Sequence, residues 1–109
     1  MTERRKYRRF TLRYAVHGTF SSGNEVFDFD ATSRNVSLGG LLIETASAIP
    51  LHSLLSFTMT VQGDMVVHPV CLAGEGAVVR LEPSEAGVGY AIAVACKQPI
   101  AQLESTLPV

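Results

Sequence analysis

The sequence predicts an all-β domain of six or seven short antiparallel strands, a barrel or a sandwich, followed by one C-terminal helix. Three observations carry this. Apolar and polar residues alternate with a period of two in most stretches longer than five residues. Gly, Asn, Ser and Pro clusters punctuate those stretches at short, regular intervals. Only in the last ten or so positions do apolar residues recur at helical spacing. A chain of 109 residues forms one domain with a core of its own.

The first strand begins at Thr11, with Leu12, Tyr14, Val16 and Phe20 on one side and Arg13, His17 and Thr19 on the other, and Ser21–Asn24 turns it. In EVFDFDA, Phe27, Phe29 and Ala31 face in while Asp28 and Asp30 face water. NVSLGG interrupts the pattern before LLIE. LLSFTMTV puts Leu55, Phe57, Met59 and Val61 on one face. The turn QGD follows, then a strand carrying Pro69, which suits an edge or a bend. GAVVRLE and VGYAIAVAC, separated by PSEAG, read as a closing hairpin. In the last strand Val88, Tyr90, Ile92, Val94 and Cys96 form one face and Gly89, Ala91, Ala93 and Ala95 the other; small side chains along a whole face permit close approach of something flat. Pro99 suits a first helical turn, and Ile100, Leu103 and Leu107 give a helix at about 99–107 that would cover part of the sheet.

The apolar fraction of 47% excludes a disordered chain, and no run approaches the ~18 apolar residues of a membrane helix. No apolar leader follows the charged start, so the expectation is a cytoplasmic globule. Cys71 and Cys96 lie 25 positions apart without a C-x-x-C pair, which points to buried free thiols rather than a metal site or a disulfide. His17, His52 and His68 are scattered and are assigned to structure or solvent, so no metal is expected.

Charge is unevenly spread. Residues 1–13 carry Arg4, Arg5, Lys6, Arg8, Arg9 and Arg13 against Glu3, a net of +5, whereas residues 14–109 carry three cations against nine carboxylates, a net of −6. Arg5 and Arg9 share a side of the chain in either a helix or a strand, so two guanidinium forks can converge on one ligand, as phosphates or guanine edges require. The bland alternative is a solvated basic tail, or a nonspecific patch for nucleic acid or membrane. In RNVSLGG, Asn35 and Ser37 offer short hydrogen-bonding side chains, and Gly39 and Gly40 allow positive φ and a close ligand. An ordinary Asn/Ser/Gly connection has the same composition.

Together, R-x-x-x-R at Arg5–Arg9 and N-x-S-x-x-G at Asn35, Ser37 and Gly40, some two dozen residues apart, resemble the PilZ domain family of bacterial cyclic di-GMP receptors. ERRKYRRF, NVSLGGLLIE and GAVVRLE…GVGYAIAV extend the likeness over nearly the whole chain. The resemblance implies a six-stranded antiparallel, Greek-key-like split barrel over residues 11–109, with a flexible basic arm over residues 1–10. It implies a non-enzymatic second-messenger receptor. Arg5 and Arg9 would grip phosphates and guanine edges; Asn35, Ser37, Gly39 and Gly40 would receive a guanine on the barrel; Arg4 would favour an intercalated pair of ligand molecules. With no further output domain, such a receptor acts through an effector protein, and a homodimer is left open. One departure is AIAVAC at the end of the last strand, where the family more often has an aromatic.

Two rivals are a PilZ-like adaptor that binds protein and no nucleotide, and a nucleic-acid binder using the arm, which the acidic body disfavours. Catalysis ranks last. Ser37 has no neighbouring base in sequence, Asp28 and Asp30 form an ordinary solvated strand face, and no phosphate-binding P-loop is present.

Overall fold

The computed structural model describes residues 13–61 and 70–102. The alternating stretches form β1 (Ala15–Ser22), β2 (Glu25–Ser37), β3 (Gly40–Thr45), β4 (Leu54–Val61), β5 (Val70–Pro83), β6 (Tyr90–Cys96) and a short β7 (Ala101–Gln102). All pairings are antiparallel. The sheet runs β4-β1-β2-β3-β6-β5, and pairing of β4 with β5 closes it into a six-stranded barrel. Because β4 returns beside β1 after the β1–β2–β3 meander, the first four strands form a Greek key.

The inward positions of the alternation supply the core: Val16, Phe29, Leu41, Ile43, Leu55, Phe57, Met59, Val78, Ile92 and Val94 are all buried. Ile49, in the connection from β3 to β4, is buried with them. Asp28 and Asp30 face water as expected, and Asp30 pairs with His17 across the β1–β2 ladder.

Four details differ from the pattern read along the chain. The strand expected around Pro69 and the strand GAVVRLE are one 14-residue strand, β5. Gly74 and Gly76 do not interrupt it. A Cβ at Gly74 would meet the Phe57 ring at 2.7 Å, and one at Gly76 would lie 2.5 Å from the Ala95 carbonyl oxygen, so these glycines let a bent strand pass close to its neighbours. Val88 does not continue the apolar face of β6. It is 82% exposed in a turn whose Gly87 and Gly89 have positive φ, which breaks the alternation before Tyr90. The expected helix at about 99–107 does not begin at Pro99. The Ile100 amide donates to the Leu38 carbonyl, and Ala101 and Gln102 pair with Ala73 and Leu72, so these residues extend the sheet. Positions 103–107 lie outside the described residues, as do the QGD turn and Pro69. Finally, Asn35 and Ser37 belong to β2 itself, and only Leu38 and Gly39 form the turn into β3.

No helix among the described residues is long and apolar enough to cross a membrane.

Candidate functional site

A strand of strict period two would point Asn35 inward. Phe29 and Ser33 face the core, so residue 35 would follow. The ladder between β2 and β3 contains a bulge, in which Ser33 pairs with Ile43 and Asn35 with the adjacent Leu42, leaving Arg34 as the extra residue. The bulge changes the parity of everything after it. Val36 then points into the core at 6% exposure, and Asn35 and Ser37 turn to the outer face.

There they line an open cavity of ≈ 510 Å³, within the size range of small-molecule sites. Its floor consists of the outward positions of β3 and β6: Gly40, Leu42, Ala93 and Ala95. The alanine face noted in the sequence is therefore the base of a concavity. Gly40 is required there by proximity, not by φ. Positive φ values among the described glycines fall at Gly23, Gly87 and Gly89, whereas a Cβ on Gly40 would lie 2.2 Å from the Val94 carbonyl oxygen.

Ser37 builds the rim. Its hydroxyl donates to the Gly40 carbonyl at 3.3 Å and accepts from the Gly39 amide at 3.2 Å, closing the two-residue turn. Spacing of three between Ser37 and Gly40 is what this closure needs. The turn is pinned from outside as well, since the Cys96 amide donates to the Gly39 carbonyl and the Ile100 amide to that of Leu38, both at 2.9 Å. The chain leaving β6 thus wraps the rim through Lys97 and Pro99, both of which line the cavity. Burial raises the Cys96 thiol's pKa above that of a free thiol, and both cysteines are unpaired.

Arg13 and Tyr14 lie beside the β2 bulge. The Tyr14 amide donates to Ser33 Oγ at 2.9 Å and the Ser33 amide to the Tyr14 carbonyl at 2.8 Å, fixing the chain two residues from Asn35. Arg13 ion-pairs with Glu44 at 3.4 Å, and the other carboxylate oxygen of Glu44 accepts from the Ser84 hydroxyl. Arg34 reaches Glu85 in the same β5–β6 turn. Arg4, Arg5 and Arg9 lie outside the described residues.

The structure brings Asn35, Ser37, Gly39 and Gly40 together at one cavity. Sequence reasoning did not single out Leu42, Arg80, Cys96 or Lys97, which also line it. For Arg80 and Lys97 a signal existed, because they are two of only three cations in residues 14–109. No group of three or more His, Cys, Asp or Glu among the described residues could hold a metal ion.

A family model described as the PilZ domain matches residues 3–107. Five chains of solved structure are similar. Among them is the Bacillus subtilis inhibitor of motility MotI/DgrA, with a TM-score of 0.69 and 19% identity over 92% of this chain and 45% of that one. The chain thus spans less than half the length of that protein. No curated protein matches.

Proposed function

Because the chain belongs to the PilZ domain family, we propose that it is a receptor for cyclic di-GMP, which it holds between its basic N-terminal arm and the cavity on β2, β3 and β6. The observation that carries this reading is the β2 bulge. It turns Asn35 and Ser37 out to one cavity wall, two residues from where the N-terminal segment is fixed to Ser33. Arg9 is four residues before Arg13 and Arg5 eight, so an extended arm over residues 1–10 reaches roughly 14 to 28 Å from its root, enough to return over the cavity.

In this reading Arg5 and Arg9 bind phosphates and guanine edges bidentately, and Arg4 favours an intercalated ligand pair. Asn35 takes a base edge. Ser37 shapes the turn that presents Gly39 and Gly40, and the Ala93–Ala95 floor accepts a flat purine. Micromolar affinity corresponds to about 8 kcal/mol. Charge-assisted hydrogen bonds contribute about 1.5–3 kcal/mol each and a stacked base about 1–3 kcal/mol, so two arginines and the cavity reach that range before the cost of ordering the arm, with little to spare. The protein does no chemistry on the ligand. Ordering of the arm over a dianion changes the surface at the cavity rim, and an effector protein that distinguishes the two forms reads the signal.

Titration calorimetry with cyclic di-GMP tests this. The expected result is saturable binding that discriminates against GMP and linear pGpG, weakened at least about tenfold by Arg9→Ala or Ser37→Ala. Hydrogen exchange at residues 3–10 should slow on binding. Heat that is absent, or unchanged in both variants, refutes the site.

A further inference from the structure

Resting on the reading above, we infer that Arg80 and Lys97 form a second cation pair that takes a phosphate of the bound dinucleotide from the barrel side, and that Glu82 holds Arg80 until the ligand displaces it.

Charge distribution is the first observation. The body, residues 14–109, has three cations and nine carboxylates. Two of those cations, Arg80 and Lys97, line the cavity, and none of its lining residues is acidic. The body's positive potential is thereby gathered at one concavity, which selects for an anion.

Backbone geometry is the second. Val78 is fully buried and faces the core, so in a regular strand residue 80 would face the core too. The β5–β6 ladder carries its own bulge, in which Val78 pairs with Val94 and Arg80 with the adjacent Ala93, leaving Val79 extra. Arg80 turns outward as a result. The β2 bulge does the same for Asn35, and both side chains belong to one cross-strand row, Asn35–Leu42–Ala93–Arg80. Three strand spacings separate its ends, about 14 Å. The cavity therefore has Asn35 at one wall and Arg80 at the other.

Arg80's own contacts are the third. Its side chain is 62% exposed, and its Nε lies 3.6 Å from Glu82 Oε1. That pair engages one nitrogen and leaves the two terminal nitrogens for a bidentate phosphate contact. Lys97, exposed at the rim just past β6, adds a point charge. An exposed pair such as Arg80–Glu82 contributes little to folding. Loss of Arg80 should be felt in ligand binding and not in the melt.

The test is calorimetric titration of the full chain with cyclic di-GMP, at low and high salt, alongside thermal melts. Arg80→Ala should weaken binding about tenfold, with Arg80→Lys recovering only part because the fork is lost. Lys97→Ala should weaken it roughly threefold and flatten the salt dependence. Glu82→Gln should tighten it roughly threefold by removing the competing carboxylate. Melting temperatures should stay at the wild-type value. Wild-type binding with Arg80→Ala and Lys97→Ala within about twofold of it overturns this inference and leaves the receptor reading standing. Weaker binding by Glu82→Gln overturns the competitor role. Absence of wild-type binding overturns the receptor reading and this inference with it.

Discussion

Gly40→Ala tests the cavity floor at its tightest point. Gly40 opens β3 opposite Ala95, and a Cβ there would lie 2.2 Å from the Val94 carbonyl oxygen and 3.3 Å from its carbon. Ordinary C···O contacts stand at about 3.3 Å or more, so the strands must part by about 1 Å. The obstacle is backbone in a strand whose Ile92 and Val94 are buried, so no side chain can swing aside. Overpacking of this kind costs about 1–3 kcal/mol, and stretching one or two ladder bonds adds about 1 kcal/mol. Loss of glycine's freedom in the unfolded chain returns about 0.4–1 kcal/mol. The net destabilisation is about 2 kcal/mol, or roughly 8–12 °C in Tm for a domain of this size. Thermal unfolding followed by circular dichroism reads it directly. Because the same shift opens the cavity floor, cyclic di-GMP affinity at 25 °C should fall as well. A variant that melts within about 3 °C of wild type would mean that β3 and β6 do not approach this closely.

Three further outcomes follow from the arm root and the rim. Ser33→Ala removes the fully buried acceptor of the Tyr14 amide and should cost about 1–2 kcal/mol, with faster hydrogen exchange at Tyr14; unchanged exchange there refutes the anchoring role. Cys96 has its pKa raised by burial, so the folded state retains the thiol proton while the unfolded chain loses it. Its stabilising contribution is full below about pH 8.5 and is lost as pH rises toward the folded-state value. Cys96→Ser should therefore lessen the alkaline fall in stability. Cyclic di-GMP should slow alkylation of Cys96, a cavity residue, and leave Cys71 unprotected; equal effects on both thiols would count against the site.

The alternation of Val16, Phe29, Leu55, Phe57, Met59, Ile92 and Val94 made the barrel's core legible, because burying one face of each strand leaves a pattern in any chain that does so. The alanine face of β6 was legible for the same reason, and it became the cavity floor. What stayed hidden depends on neighbours in space. Gly74 and Gly76 look like strand breaks until Phe57 and Ala95 are seen to press on them. Ile100 fits a helical spacing, yet it is buried because the rim turn at Leu38 accepts its amide. The bulges carry no local mark, since neither Arg34 nor Val79 is a residue that announces one. They emerge only when Ser33 and Val36, or Val78 and Leu81, must all reach the core.

The register at the β2 bulge, in which residue 34 is left unpaired, therefore decides where Asn35 and Ser37 point, whatever side chain occupies that position. Straightening the bulge with every residue kept would impose strict alternation after Ser33, sending Asn35 and Ser37 into the core and Val36 out to water. Two polar side chains would be buried away from their present partners at about 1–3 kcal/mol each, and Val36 would lose about 1.5–3 kcal/mol of burial. The sum, about 4–9 kcal/mol, rivals the whole stability of a small domain. Arg34→Ala keeps the residue count and the bulge and loses the 3.5 Å contact with Glu85, an 86% exposed partner, so the site should survive. Deleting Arg34 removes the extra residue and leaves Asn35 opposite Leu42, so the deletion and Arg34→Ala should both melt cooperatively and still bind cyclic di-GMP. A deletion variant that folds and no longer binds, beside an Arg34→Ala variant that binds as wild type does, would mean that the β2–β3 register does not aim the site.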